Sequence, residues 1–263
     1  MLLREIEEYS KQQESLLPRY NPEVLIFDTP EAVGAFAALR VIEQVRTKPD
    51  SILTLPTGNT PIAMYQHITE GYKQGIVDFS RVTIFNLDEY CPIQQAHPNS
   101  YAAFMRRHLI DHVPILAWHI PNGEAPSPEA EAKRYRYLLE QHQPIDLAVL
   151  GIGPSTTCHI GFNEMGSAID SVVRYVSLHP ETKQENAKAF ANPEEIPKGA
   201  LTQGIADILR AENILVIAKG MSKAWGMNRT LKGTISSEAP SSFLRLHPNV
   251  TFALDQEAAM YIK

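Results

Sequence analysis

Val82-Thr83-Ile84-Phe85-Asn86-Leu87-Asp88-Glu89-Tyr90 is the stretch on which the reading of this chain turns. Residues 82–85 form a short, mostly apolar strand, and the chain leaves it through two adjacent carboxylates. In open α/β sheets ligands bind outside the carboxyl ends of the strands, so a carboxylate there is placed to act on a small molecule. Consecutive residues of an extended chain face opposite ways, so only one of Asp88 and Glu89 is expected to enter the site; the competing reading has one solvent-exposed and the other paired with an arginine such as Arg106 or Arg107. Two other segments share this plan of strand followed by polar loop. Residues 51–55 lead into Pro56-Thr57-Gly58-Asn59-Thr60-Pro61, and residues 146–150 lead into Gly151-Ile152-Gly153 and on to His159 and Glu164. Three strand ends thus supply an anion-type loop, an acidic base and a His/Glu pair.

Working outward, residues 23–27 read as a first strand. Thr29 then caps a helix that has Pro30 at its first position, where a missing N–H costs nothing. Val33, Phe36, Ala37, Val41, Ile42 and Val45 recur at helical spacing. Pro61 opens a second helix, and residues 100–113, 128–141 and 222–231 read as further helices. Residues 147–150 and 213–218 are almost wholly apolar, as in strands covered on both faces, and residues 250–254 form a last strand. Strands and helices alternate, which predicts an α/β fold: an open, mostly parallel sheet with helices on both faces and right-handed crossovers. Residues 1–22 read as an N-terminal helical appendage, with Leu2, Leu3, Ile6 and Tyr9 on one face, and residues 23–263 as one domain.

Composition narrows the function classes. The 263 residues carry a net charge of -6, against the clustered basic face that nucleic acid demands. Two cysteines make no disulfide framework, which favours a reducing compartment. The N-terminus has no apolar signal core, and no apolar run approaches the ~18 residues that span a membrane. The expectation is a cytoplasmic enzyme with no nucleic-acid or membrane partner, able to form a homo-oligomer.

The loop Thr57-Gly58-Asn59-Thr60-Pro61 precedes a helix, whose free N–H groups favour anions; the competing reading is a plain turn with a threonine cap. It lacks the lysine of a P-loop. Gly151-Ile152-Gly153-Pro154 lacks the third glycine of a dinucleotide fingerprint, so no nucleotide cofactor is expected. His159 and Glu164 can form a proton relay, or His159 is a structural histidine. A metal site has no third ligand in register. Cys158 beside His159 is a weak candidate for a nucleophile. Lys223, near a helix start after residues 213–218, can close a phosphate site or be a solvated lysine.

Taken in order, Leu55-Pro56-Thr57-Gly58-Asn59-Thr60-Pro61, Phe85-Asn86-Leu87-Asp88-Glu89-Tyr90, His97-Pro98-Asn99-Ser100-Tyr101, His159-Ile160-Gly161-Phe162-Asn163-Glu164 and Leu246-His247-Pro248 resemble the glucosamine-6-phosphate deaminase (isomerase) family. The resemblance runs from about residue 23 to residue 255. That family also holds galactosamine-6-phosphate deaminases, and its superfamily holds 6-phosphogluconolactonases. The resemblance implies a cofactor-free, metal-free reaction in which a phosphorylated amino sugar becomes a ketose phosphate and ammonia. It implies Asp88 as the base at C2, His159 as the ring-opening group and Glu164 as its holder. Thr57, Gly58, Asn59, Thr60 and Lys223 are implied phosphate ligands, and Glu89 and Lys188 are expected at the substrate.

The chain departs from the family pattern at several points. The run from Gly151 to His159 is two residues longer, and Thr157-Cys158 stands where the family has Asp-Gly. Met165 replaces a proline and Lys188 an arginine. Arg174-Tyr175-Val176 lacks the lysine of allosteric members, so no activation by an N-acetylamino-sugar phosphate is expected. A lactonase, another sugar-phosphate isomerase and a weakly catalytic sugar-phosphate sensor are the competing functions.

Overall fold

A computed structural model describes residues 22–153, 156–186, 190, 192 and 195–262. The N-terminal appendage and Lys188 lie outside the described residues.

The chain begins with β1 (Glu23–Phe27), α1 (Pro30–Thr47), β2 (Ile52–Leu55), α2 (Ile62–Lys73), β3 (Thr83–Asn86) and β4 (Asp88–Cys91). The Thr29 hydroxyl accepts the Ala32 N–H, and Pro30 opens α1, as read from the sequence. Next come α3 (Tyr101–Met105), continued as one π-turn over Arg106–Ile110, then β5 (Ala117–His119), α4 (Pro128–Glu140) and β6 (Leu147–Gly151). The rest comprises β7 (Arg174–Ser177), α5 (Pro180–Asn186), β8 (Gly199–Thr202), α6 (Ile205–Ile208), β9 (Ile214–Ala218), α7 (Ala224–Lys232) and β10 (Val250–Asp255).

Seven strands form a parallel sheet in the order β1-β10-β9-β6-β2-β3-β5. The chain winds outward from β2 to β3 and β5, then returns to the other side of β2 for β6, β9 and β10. The winding therefore reverses between β2 and β6, where a crevice opens at the strand ends. Alternate residues feed two cores: Leu53, Leu147, Val149 and Ile217 join one side, and Ala148, Leu150, Val216 and Phe252 the other. At the opposite end of the β2–β6 pair, the nearly buried Asp146 carboxylate binds Lys48 Nζ at 2.6 and 2.8 Å and accepts the Ile52 N–H at 2.7 Å. This ties the two central strands together beneath the crevice.

Strict strand–helix alternation does not describe the whole chain. A second sheet, in the order β4-β8-β7, is antiparallel. The chain passes from one sheet to the other at Leu87. Asn86 fixes this crossing: its carbonyl accepts from Tyr135 Oη at 2.7 Å and Gln203 Nε2 at 3.1 Å, and its side-chain oxygen from Trp118 Nε1 at 2.7 Å. Tyr90, Ile93, Phe162, Leu178 and Phe190 form a separate small core on this sheet.

Candidate active site

The β2–β6 crevice holds a cavity of about 400 Å³. Its walls come mainly from four places that the sequence places far apart, the loop after β2, the start of β4, the loop after β6 and the turn after β9, with Tyr101 of α3 and Thr182 of α5 added.

Thr57, Gly58, Asn59 and Thr60 line one end. Gly58 has φ +93°, a left-handed conformation that suits glycine. No side chain caps α2, so the threonine-cap reading of this loop does not hold, and the hydroxyls and first-turn N–H groups can meet an anion. Lys223 lines the same cavity, and Lys219 and Ser222 join it. Their turn is built on Asp255, whose carboxylate accepts the Gly220 N–H at 2.9 and 3.1 Å. Lys219 was missed in the sequence, although its place just past β9 is where the strand-end rule points.

Asp88 lines the cavity beside Leu87, and Glu89 does not. The alternation read from the sequence holds, but Glu89 is not placed to bind substrate. It is fully buried behind the strand, where Oε1 accepts the N–H groups of Tyr90 and Tyr101 at 2.9 Å and Oε2 that of Ala102 at 2.8 Å. With Ser100 Oγ, which accepts the Ala103 N–H at 2.9 Å, it satisfies the free donors at the start of α3. Burial pushes the Asp88 carboxyl well above the ordinary carboxylate range, and the Glu89 charge pushes it further. Burial also raises Glu89, to about 7, against the pull of its three N–H donors.

The loop bearing His159 is fixed against Asp88 through Thr202. Thr202 pairs with Asp88 in the small sheet, and its Oγ1 accepts the Phe162 N–H at 3.1 Å. Gly161, at φ +55°, is the reason the approach is possible: a Cβ there would sit 2.9 Å from Thr202 Oγ1 and 3.3 Å from Asp88 Oδ2. Gly153 plays the same part for the imidazole, since a Cβ on it would fall 2.3 Å from the His159 ring. Burial, then Lys223, then His179 lower the His159 pKa to about 3, so the ring is neutral at physiological pH.

Glu164 does not hold His159. Its Oε2 accepts the His179 N–H at 2.8 Å, and its Oε1 is buried without a partner. The group on His159 Nδ1 is Thr157 Oγ1, at 2.9 Å. The residue that stands where the family has Asp thus occupies the orienting position as a hydroxyl. Thr157 stands at the ring, and Glu164 anchors the start of α5. Cys158 has φ +46° and a buried thiol whose pKa burial raises; a thiol held neutral in this way is a poor nucleophile. Among the described residues no group of three or more His, Cys, Asp or Glu side chains could hold a metal, and no helix is long and apolar enough to cross a membrane.

Comparison with known proteins gives the family of the chain. Residues 28–160 match the family model for glucosamine-6-phosphate isomerases/6-phosphogluconolactonase. A glucosamine-6-phosphate deaminase of Halothermothrix orenii is 43% identical over 238 residues, covering 90% of this chain and 98% of that protein. One from Rhodopirellula baltica is 42% identical over 239 residues, covering 90% and 94%. The structure of a monomeric glucosamine-6-phosphate deaminase superposes with a TM-score of 0.86 at 37% identity, covering 90% of this chain and 99% of that one. A 6-phosphogluconolactonase from Trypanosoma brucei shares the fold, with a TM-score of 0.74 at 20% identity over 92% of this chain and 99% of the other. The chain belongs to the family of glucosamine-6-phosphate isomerases and 6-phosphogluconolactonases, and within it stands with the glucosamine-6-phosphate deaminases.

Proposed function

We propose that this chain converts glucosamine 6-phosphate and water to fructose 6-phosphate and ammonia. The observation that carries the reading is the position of Asp88: a buried carboxylate on the cavity wall, facing the same space as a neutral histidine and a lysine-flanked anion loop. Lactone hydrolysis needs no carbon base, and the lactonases are related at the level of fold.

The phosphate sits among Thr57, Gly58, Asn59, Thr60, Lys219, Ser222 and Lys223, and this remote binding positions the sugar for chemistry. His159, oriented by Thr157, exchanges a proton with the ring oxygen and the pyranose opens. Asp88 takes the C2 proton as the C1=C2 double bond forms, giving an enolamine. Protonation at C1 leaves an imine at C2, which water hydrolyses to the ketone with release of ammonia. A carboxyl with a raised pKa is a stronger base than a solvated one and suits this transfer. Glu164 supports the site through His179.

The test is ammonia release by the purified protein, offered glucosamine 6-phosphate, galactosamine 6-phosphate and, for acid release, 6-phosphogluconolactone. Ammonia from glucosamine 6-phosphate, in excess over its C4 epimer, is the expected result. Acid from the lactone without ammonia from either amino sugar would replace this reading with the lactonase one. Tight binding of amino-sugar phosphate without turnover would replace it with the sensor reading.

A further inference from the structure

The scheme above leaves one polar wall of the cavity without a task. The loop after β2 and the turn after β9 face the phosphate, His159 the ring oxygen, and Asp88 the C1–C2 end. Tyr101 also lines the cavity, but its hydroxyl is bonded to Tyr90. Thr182 on α5 remains. It lines the cavity and is 3% exposed, and its Oγ1 is buried without a hydrogen-bond partner. Buried hydroxyls are normally paired, and an unpaired one is a cost to the folded chain that calls for an explanation.

The place of Thr182 suggests the partner. Its helix starts beside His179, whose charge reaches His159, and Thr182 lines the cavity wall that His159 also lines. With the phosphate at one end and C1–C2 at the other, the sugar atoms left for that wall are the C3 and C4 hydroxyls. We propose that Thr182 is a specificity-determining residue whose Oγ1 hydrogen-bonds one of these two secondary hydroxyls. This rests on the deaminase reading. Neighbouring atoms cover the oxygen, and one step of χ1 exchanges Oγ1 for the methyl group at unchanged volume. A bound sugar then supplies a partner for Oγ1. A site built to hydrogen-bond a substrate hydroxyl discriminates against an analogue that lacks it.

The experiment measures kcat/KM for glucosamine 6-phosphate and its 3-deoxy and 4-deoxy analogues with wild type, Thr182→Val and Thr182→Ser. Thr182→Val should lower kcat/KM on the full substrate by about 5- to 30-fold. It should leave unchanged the rate on one of the two deoxy analogues, which the wild type itself handles poorly. Thr182→Ser should recover most of the loss. Equal losses on all three compounds would make Thr182 a packing residue, and no loss on any would remove its role. If the wild type releases no ammonia at all, the deaminase reading fails separately. Thr182 is then judged by calorimetry with the C1-reduced amino-alditol 6-phosphate, which has no carbonyl and cannot react. An unchanged affinity in Thr182→Val would overturn the proposal, and a weakening rescued by Thr182→Ser would sustain it.

Discussion

Asp88 and Glu89 are neighbours on one strand, and they belong to two different regions. Asp88 faces the cavity with its charge opposed by burial, whereas Glu89 faces the packing between β4 and α3 and is surrounded by backbone donors. Both carboxyls have raised pKa values. A raised pKa is therefore no mark of catalysis by itself; the partners decide. Three N–H groups make Glu89 part of the fold, and an open wall makes Asp88 available to a substrate.

The contrast is sharpest in turnover. Asp88→Asn keeps the shape and removes the base, so kcat should fall by about 10²–10⁴-fold with little change in sugar-phosphate affinity by calorimetry. The same variant should be more stable than the wild type at neutral pH. The folded chain holds the Asp88 proton more tightly than the unfolded chain does, so the contribution of Asp88 is intact below its unfolded pKa, near 4, and is lost as pH rises. The stability gap between variant and wild type, measured by urea unfolding, should open with rising pH and close in acid. A gap that is constant across pH would mean that Asp88 is not burdened by its charge. In the wild type, the acid limb of kcat/KM should lie above the ordinary carboxylate range.

Glu89→Gln should do the reverse. The amide offers one acceptor and turns an NH₂ toward backbone donors, so stability should drop by about 1–3 kcal/mol while kcat per folded molecule stays near wild type. A Glu89→Gln protein of normal stability and lost turnover would exchange the roles assigned to the two carboxylates.

A smaller effect is expected at His159. Thr157→Val deletes the hydroxyl on Nδ1 at constant shape and should lower kcat by about 3- to 10-fold with KM unchanged, and Thr157→Ser should restore it. A change in KM alone would place Thr157 in binding rather than in orienting the ring. The smallest effect concerns Arg174, which donates to Asn163 Oδ1 at 2.8 Å and Ser167 Oγ at 3.1 Å within its own chain. Rate curves should be hyperbolic and unmoved by N-acetylglucosamine 6-phosphate. A curve that turns from sigmoidal to hyperbolic on adding that effector would refute this.

The same two regions mark what the sequence disclosed. Most of the large sheet was legible because six of its strands are largely apolar runs of four to six residues; β1 and α1 fall where residues 23–27 and Thr29-Pro30 place them, whereas the edge strand β5, three residues long, was not read from the sequence. The loops that carry Thr57–Thr60 and His159 were legible for the same reason, as polar segments after buried strands. The small sheet was not. Its strands, Asp88–Cys91, Arg174–Ser177 and Gly199–Thr202, are four residues each, with little apolar patterning. They pair residues such as Asp88 and Thr202 that are distant in sequence, and such pairing leaves no local trace. Alternation predicted that Asp88 and Glu89 diverge; only the cap of α3 says which way. The exchange of Glu164 for Thr157 beside His159 was also out of reach, because residue types alone do not say which polar group meets His159 Nδ1.

The most direct test follows the C2–H bond itself. Glucosamine 6-phosphate deuterated at C2 would be incubated with wild type, Asp88→Asn and Glu89→Gln, and loss of label from C2 read by mass spectrometry and NMR. Label should leave C2 with wild type and with Glu89→Gln, and should stay with Asp88→Asn even when the sugar is bound. Label leaving C2 at a near wild-type rate in Asp88→Asn would contradict the assignment of Asp88 as the base.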